Sequence, residues 1–242
     1  NAASYLRRRT SAGALAALFG SGMASGTWFA EGQSLPTVLG DVRVEARDLT
    51  GVTRHAAMIF VSPEQINLQI PEGLAPGIAS LFVYQGQQLT HRDWLYIDAS
   101  APGLFAADAS GAGPPAGEVL YVRANGERES RTLALPSPLG ADGPAYRPNP
   151  VRLWEPGTQV YLILYGTGWS SDAAESVRAM LGGEEIEPEY AGRQGSFAGL
   201  DQANVRLDTL PAEAIERLAG RVSPLAICTA AACSNRLELR IE

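Results

Sequence analysis

Cys228 and Cys233 are the two cysteines of the chain and His55 and His91 its two histidines, so nucleophilic, redox or metal chemistry rests on few residues. Cys228-Thr-Ala-Ala-Ala-Cys233 lies between Leu225-Ala226-Ile227 and Leu237-Glu238-Leu239, which read as the last two strands of the chain. Cysteines facing each other across so short a loop fall within the ~4.4–6.8 Å Cα separation of a disulfide. Free core thiols and a metal site are the alternatives. A zinc site needs two further ligands, and both histidines lie in the other half of the sequence. The bridge would stabilise by only roughly 2 kcal/mol in the chain-entropy model, and its value is local, pinning the hairpin register. His55, in Val52-Thr-Arg-His-Ala, and His91, in Leu89-Thr-His-Arg-Asp-Trp94, are the imidazoles available for general-base work. Neither sits near a nucleophile elbow, and Gly20-Ser21-Gly22 lacks the Gly-x-Ser-x-Gly spacing. Surface or turn histidines are the simpler reading, and no enzyme is expected.

Other groupings read the same way. Glu184, Glu185, Glu187 and Glu189 could gather on Ca²⁺, but no Asp-x-Asp-x-Asp-Gly loop accompanies them, which favours a solvated acidic loop. Trp28, Trp94, Trp154 and Trp169 could form a sugar-stacking platform. Trp94 and Trp169 lie in or beside apolar strand segments, which favours core or interface roles. The pairs Gly20-x-Gly22 and Gly166-x-Gly168 lack the third glycine and the helix of a dinucleotide loop and read as bulges or strand-end turns. No cofactor is expected.

The elements that carry these residues come from an internal repeat. Phe19-Gly20-Ser21-Gly22-Met23 matches Tyr165-Gly166-Thr167-Gly168-Trp169, each closing a short apolar strand, at an offset of 146 positions. Gln65-Ile66-Asn67-Leu68 is echoed by Gln202-Ala203-Asn204-Val205 at an offset of 137. Two motifs in the same order make a tandem of two similar domains. The polar face of the Gln-x-Asn pair is expected to hydrogen-bond to adjacent loops.

Periodicity within each copy is two. Ile66, Leu68 and Ile70 alternate with Gln65, Asn67 and Gln69; Val42, Val44 and Ala46 alternate with Arg43, Glu45 and Arg47; Leu237, Leu239 and Ile241 alternate with polar residues. Gly- and Pro-bearing turns separate these strands. The expected fold is all-β, two tandem immunoglobulin-like β-sandwiches over residues 1–105 and 151–242, with a Pro/Gly-rich connector over 106–150. Asn125-Gly126 between Glu118–Arg123 and Arg128–Leu133 marks a β-hairpin in the connector, which either adds strands to one sandwich or braces the two. Pro136–Gly140 and Pro144–Pro150 read as extended. Short helices are expected near Asp172–Leu181 and Pro211–Leu218.

Composition narrows the function classes. Hydrophobic residues form 45% of the chain, enough for a core, while all 19 basic residues are Arg, which removes any lysine-based chemistry. A net charge of −7 argues against a nucleic-acid partner. Arg7-Arg8-Arg9 followed by Ala12–Phe19 has the look of a secretory leader, yet Gly13 interrupts the run and small alanines build it, so it is expected to be part of the folded chain. No run approaches the ~18 apolar residues of a membrane span, and a soluble protein is expected.

The blocks Asn1-Ala-Ala-Ser-Tyr5, Phe19-Gly20-Ser21-Gly22, Leu35-Pro36-Thr37-Val38-Leu39-Gly40, Val61-Ser-Pro-Glu-Gln-Ile-Asn67 and Ala101-Pro-Gly-Leu-Phe105 resemble the Solibacter-type uncharacterised C-terminal domain. The resemblance continues through Tyr165-Gly166-Thr167-Gly168, Tyr190-Ala191-Gly192, Gln202-Ala203-Asn204 and Ser234-Asn235. That family closes secreted acidobacterial proteins and is related to immunoglobulin-like TIG/IPT modules. The resemblance implies an extracellular tandem and no reaction.

The expected function is a non-enzymatic extracellular structural or adhesive protein, with a carbohydrate-binding module as the alternative and cell-surface polysaccharide as its partner. A homopolymer, filament or surface assembly is also expected, through edge-strand contacts or through head-to-tail contacts between the two similar domains. Sandwich edges pair with other chains unless blocked, and the chain has no Lys to block them. Asn1–Leu18, small-sided and free of acidic residues, is the segment expected to add as a strand to a neighbouring copy, through Asn1, Tyr5, Leu6, Leu15 and Leu18.

Overall fold

The computed structural model describes residues 1–32, 34–138, 145–153, 156–170 and 176–242. Trp154, the first part of the expected 172–181 helix, and parts of the two extended proline segments lie outside the described residues. The first half carries β1 (Arg9–Ser11), β2 (Leu15–Phe19), β3 (Trp28–Phe29), β4 (Val42–Arg47), β5 (Thr53–His55), β6 (Ala57–Val61), β7 (Gln65–Gln69), β8 (Gly77–Gln85) and β9 (Gln88–Asp98). The second carries β10 (Gly103–Leu104), β11 (Gly117–Val122), β12 (Arg128–Thr132), β13 (Ala134–Pro136), β14 (Tyr146–Pro148), β15 (Gln159–Thr167), β16 (Arg178–Leu181), β17 (Glu184–Ile186), β18 (Tyr190–Arg193), β19 (Asp201–Arg206), α1 (Ala212–Leu218), β20 (Val222–Cys228) and β21 (Leu237–Arg240). The fold is all-β.

Alternation decides which way each strand faces. In β4, Val42, Val44 and Ala46 are buried while Arg43, Glu45 and Arg47 face outward, and β7, β15, β19 and β21 repeat the pattern. The sheets run β1-β9-β8-β4-β5 and β2-β7-β6-β3 in the first half. In the second half they run β12-β11-β15-β19-β18, with β10 also on β15, and β17-β16-β20-β21, while β13 and β14 pair by themselves. Inward faces meet in two clusters of buried side chains, one drawn from residues 16–97 and one from 104–241.

The Asn125-Gly126 hairpin forms as the dipeptide requires. Gly126 is left-handed at φ +84°, and Glu127 N–H donates to Asn125 Oδ1 at 2.9 Å. Its inner strand β11 pairs along β15 from Gly117↔Leu164 to Val122↔Gln159, so the hairpin extends that sheet.

Of the two expected helices, α1 forms immediately after Pro211, burying Ala214 and Leu218 one turn apart, with Glu213 at its start and Arg217 at its end to suit the helix dipole. The other is corrected over its described part. Residues 178–181 are strand β16, paired with β20 from Arg178↔Cys228 to Leu181↔Leu225. Val177, Ala179 and Leu181 are buried and Arg178 and Met180 are not, so a period of two overrides the helix-forming composition. No helix among the described residues is long and apolar enough to cross a membrane.

Candidate functional site

Each copy of the repeat builds one kind of corner. β2 pairs with β7 and β15 with β19 in a shared register, so Phe19 opposes Gln65 and Tyr165 opposes Gln202. Gln65 Nε2 donates to Asn67 Oδ1 at 2.7 Å and Gln202 Nε2 to Asn204 Oδ1 at 2.8 Å. These amides satisfy each other along one strand face, not by reaching loops, because residues i and i+2 share a face within reach of a Gln side chain. The first glycine of each corner makes room for the apolar residue three positions on. A Cβ on Gly20 would lie 3.0 Å from Met23 Sδ, and one on Gly166 2.3 Å from the Trp169 ring. The second glycine is left-handed, φ +66° at Gly22 and +93° at Gly168, a conformation open to a residue without Cβ. The motif is a strand-end turn that folds Met23 or Trp169 back over a core.

The second corner is also where the two halves join. The Gly168 carbonyl accepts from Ser11 Oγ and Ser100 Oγ, both at 3.2 Å, and from Ala101 N–H at 3.0 Å. Thr167 Oγ1 donates to Gly199 O at 2.7 Å and accepts from Leu15 N–H at 2.8 Å. Asp201 Oδ2 accepts from the Trp169 and Ser170 amides at 2.9 and 3.1 Å, while Asp201 Oδ1 and Trp169 Nε1 are buried without partners. Burial pushes the Asp201 carboxyl above the usual carboxylate range, against the pull of those amides.

The first corner borders a groove of ≈ 550 Å³ on the open side of the first half, between β2 and β9. The side is open because β1 covers only Tyr96–Asp98 of the eleven-residue β9. Core side chains reach the groove: Leu81, Val83 and Leu95 from β8 and β9, Ala16 and Leu18 from β2, and Met23 from the corner. Arg7, Arg8, Arg9 and Arg92 border it, with Arg9 and Arg92 on the outer face of the sheet beside Tyr96 and Phe82, opposite the inward Leu81 and Leu95. Arg8 stacks 4.6 Å over Trp94 and pairs with Asp93 at 3.2 Å. Arg9 pairs with Asp98 and lies 5.3 Å over Tyr96, and Arg92 lies 5.2 Å over Phe82. Arg7 makes no ion pair among the described residues. Thr10 also lines the groove, 2% exposed, its Oγ1 buried without a partner. Tyr5 and Arg8 are left-handed at φ 54° and 57°, a strain of roughly 1–2 kcal/mol each concentrated in the arm that bounds the groove. His91 Nε2, 3.0 Å from Ser21 O, ties β9 to the corner at the opposite end.

Leu15 and Leu18 fall within the chain's own sheets and Asn1 is tied to Ala101, which corrects the expectation that Asn1–Leu18 adds as a strand to a neighbour. β1 pairs in parallel with β9, and β2, holding Leu15 and Leu18, pairs with β7. Asn1 Nδ2 donates to Ala101 O at 2.7 Å, and its Oδ1 accepts from the Ala3 and Ser4 amides. Tyr5 and Leu6 remain exposed at the groove rim. Segment 9–19 already has backbone partners, so donating it would first break them. The absence of Lys does not leave the edges bare either. β12 carries Arg128, Glu129 and Arg131, and on the uncovered edge of β9 the Trp94 N–H is taken by Asp93 Oδ1 at 2.8 Å.

Cys228 and Cys233 are bridged, with Cα atoms 3.9 Å apart. Thr229 N–H to Ala232 O and Ser234 N–H to Ile227 O flank them, which makes the cysteines a narrow, non-hydrogen-bonded antiparallel pair. His55 is exposed on β5 opposite Glu45, apart from His91. Glu184, Glu185 and Glu189 pair with Arg217, Arg178 and Arg206 respectively. Trp169 is fully buried and Trp28 packs against the first core, while Trp94 is 45% exposed with one face under Arg8. Sequence reasoning missed Thr10 and the Leu81, Val83 and Leu95 floor, and it read Arg7–Arg9 only as leader-like. Among known proteins, no family model matches the chain and no curated protein matches it.

Proposed function

We propose that the chain is a non-enzymatic extracellular structural or adhesive module, a rigid tandem of immunoglobulin-like sandwiches of the Solibacter type that it resembles. The carrying observation is the junction at Gly168, where Ser11 of the first half joins Ser100 and Ala101 of the link in donating to one carbonyl of the second, and Leu15 N–H donates to Thr167 Oγ1. Hydrogen bonds buried at a junction resist hinge motion, and a stiff body suits load-bearing or display. The disulfide in the last hairpin supports an oxidising compartment. Copies of such a module associate through faces other than the paired arm, in a filament or surface layer.

Pulling the full oxidised chain by its two ends tests the reading. A junction rupture distinct from the unfolding of the two cores is expected, and Gly168→Ala should remove it. Cores that unravel with no junction event, as beads on a slack linker do, would refute the rigid-module reading. Sedimentation over a wide concentration range reads self-association, and a single monomeric boundary throughout would discard the filament.

A further inference from the structure

We propose that the outer face of the β1-β9-β8-β4 sheet binds an acidic polysaccharide of the uronate class. The proposal deepens the adhesive reading above and rests on it for the choice of a polymer as ligand.

Cross-strand register places the residues of this face. Trp94 opposes Ser80 and Ser80 opposes Arg47, while in the adjacent row Arg92 opposes Phe82 and Phe82 opposes Glu45. Tyr96 stands between Arg9 and Ile78 on the other side of the Trp94 row. The strand neighbours Leu81, Leu95 and Ala46 are buried, so alternation turns these rows to solvent. Trp94 is 45% exposed, Tyr96 41% and Ile78 49%.

Three observations give the chemistry of the ligand. Exposed aromatic rings on a sheet face offer flat apolar surface against which the C–H face of a sugar ring stacks. Trp94 keeps its exposure with Arg8 already 4.6 Å over the ring, so indole surface is left for a ligand. Ser80, at the centre of the face and partly exposed, makes no hydrogen bond through its hydroxyl among the described residues. That hydroxyl can donate to a sugar oxygen and accept from a sugar hydroxyl. Charge is the third observation. Arg9 and Arg43 are paired with Asp98 and Glu45, and Arg8 at the margin with Asp93. Arg47 and Arg92 are exposed and make no ion pair among the described residues. Two uncompensated guanidinium groups on one face of a chain of net charge −7 select an anionic ligand, and guanidinium takes a carboxylate bidentately.

Arg47 and Arg92 lie two strands and two residues apart. Spacings of ~4.8 Å between strands and ~3.4 Å per residue put their Cα atoms about 12 Å from each other. This is close to the length of a disaccharide, so carboxylates one or two sugars apart meet both arginines while the sugar between them lies over Ser80 beside Trp94. Other occupants fit worse. An acyl chain or a bilayer interior would leave the Ser80 hydroxyl unpaired. A second copy offering the same face would bring two like-charged surfaces together.

Calorimetric titration of the full oxidised chain with an oligogalacturonate hexamer, and with cellohexaose as its uncharged match, tests the site. Saturable binding of the oligogalacturonate is expected, with a change in tryptophan fluorescence and an affinity that falls as salt rises. Cellohexaose should bind at least about tenfold more weakly. Trp94→Ala should weaken the oligogalacturonate at least about tenfold and remove the fluorescence change. Arg47→Gln with Arg92→Gln should weaken it as much and flatten its salt dependence. These side chains face solvent, so melting temperatures should stay near the parent's, which separates a lost ligand contact from a lost fold. Absence of saturable oligogalacturonate binding would overturn the proposal, as would binding that the variants leave unchanged. Cellohexaose bound as tightly as the acid, or tighter binding of phosphatidylglycerol vesicles, would overturn it in favour of a neutral-glycan or a membrane face. Junction rupture is read without any glycan, so failure of this site and failure of the rigid-module reading show separately.

Discussion

Gly168→Ala isolates what the junction contributes. Gly168 is left-handed at φ +93°, and a Cβ there would lie 2.2 Å from Ala101 O and 2.9 Å from Ala101 C, both backbone atoms. The left-handed backbone alone costs an alanine roughly 1–2 kcal/mol. Relieving the contact with Ala101 adds roughly 1–3 kcal/mol, since backbone and not a flexible side-chain end must shift. Gly126→Ala is the matched control, because Gly126 is left-handed at φ +84° with nothing within 4 Å of its Cβ position. Both variants gain the same small benefit from a stiffer unfolded chain, which cancels in the comparison. Urea unfolding followed by tryptophan fluorescence should therefore place Gly168→Ala about 1–3 kcal/mol below Gly126→Ala. The transition should also split in two, because displacing Ala101 withdraws the amide and hydroxyl donors that couple the cores. A difference under about 0.5 kcal/mol with one cooperative transition would refute the account of the junction.

Reduction should raise the intact mass by two hydrogens, and Cys228→Ser with Cys233→Ser should cost about 2 kcal/mol in thermal unfolding, with amide exchange rising in the 227–234 hairpin. For Asp201 the folded carboxyl titrates above its unfolded value near 3.9, so the stability tied to its proton is complete below that value and lost as pH climbs through the raised one. Asp201→Asn cannot ionise, and denaturation series should show it gaining on the parent as pH rises from about 4 to 7. Asp48 has the opposite sign. Hydrogen bonds from the Thr50 hydroxyl and the Ala75 amide, ahead of the Arg54 guanidinium, lower its carboxyl to about 2. Its stabilisation is present above the unfolded value near 3.9 and fades as pH falls through about 2, so Asp48→Asn should destabilise at neutral pH and converge on the parent in strong acid. A carboxyl resonance of Asp48 that titrates near 4 would contradict this.

The parts legible in the sequence were those with local causes. Alternation in Val42–Arg47 and Gln65–Gln69 set which face was buried, Asn125-Gly126 set a turn, and the spacing of Cys228 and Cys233 set a bridge. The 178–181 strand was hidden because its few residues read as well at period 3.6, and only pairing with β20 decides. The groove was hidden for a different reason. Arg7, Thr10, Leu18, Leu81 and Leu95 come from four separate strands and the arm, and nothing local in the chain announces that β1 stops short along β9. The buried Asp201 was equally silent. Its counterpart in the first copy is Glu64, exposed at the same corner, and composition does not separate an acid that caps a turn from one in water.

The bonds at Gly168 also bear on how the chain reaches its native state. Ser11 meets Gly168 across 157 positions and Leu15 meets Thr167 across 152. Loop closure at such separations is slow, and a ribosome delivers these partners only after the whole first core has emerged. The first half can therefore collapse around its own sheets while the backs of β1 and β2 stay unsealed until synthesis is nearly finished. During that interval the arm is at its least protected, and exposed strand edges of this kind are where newly made chains find one another.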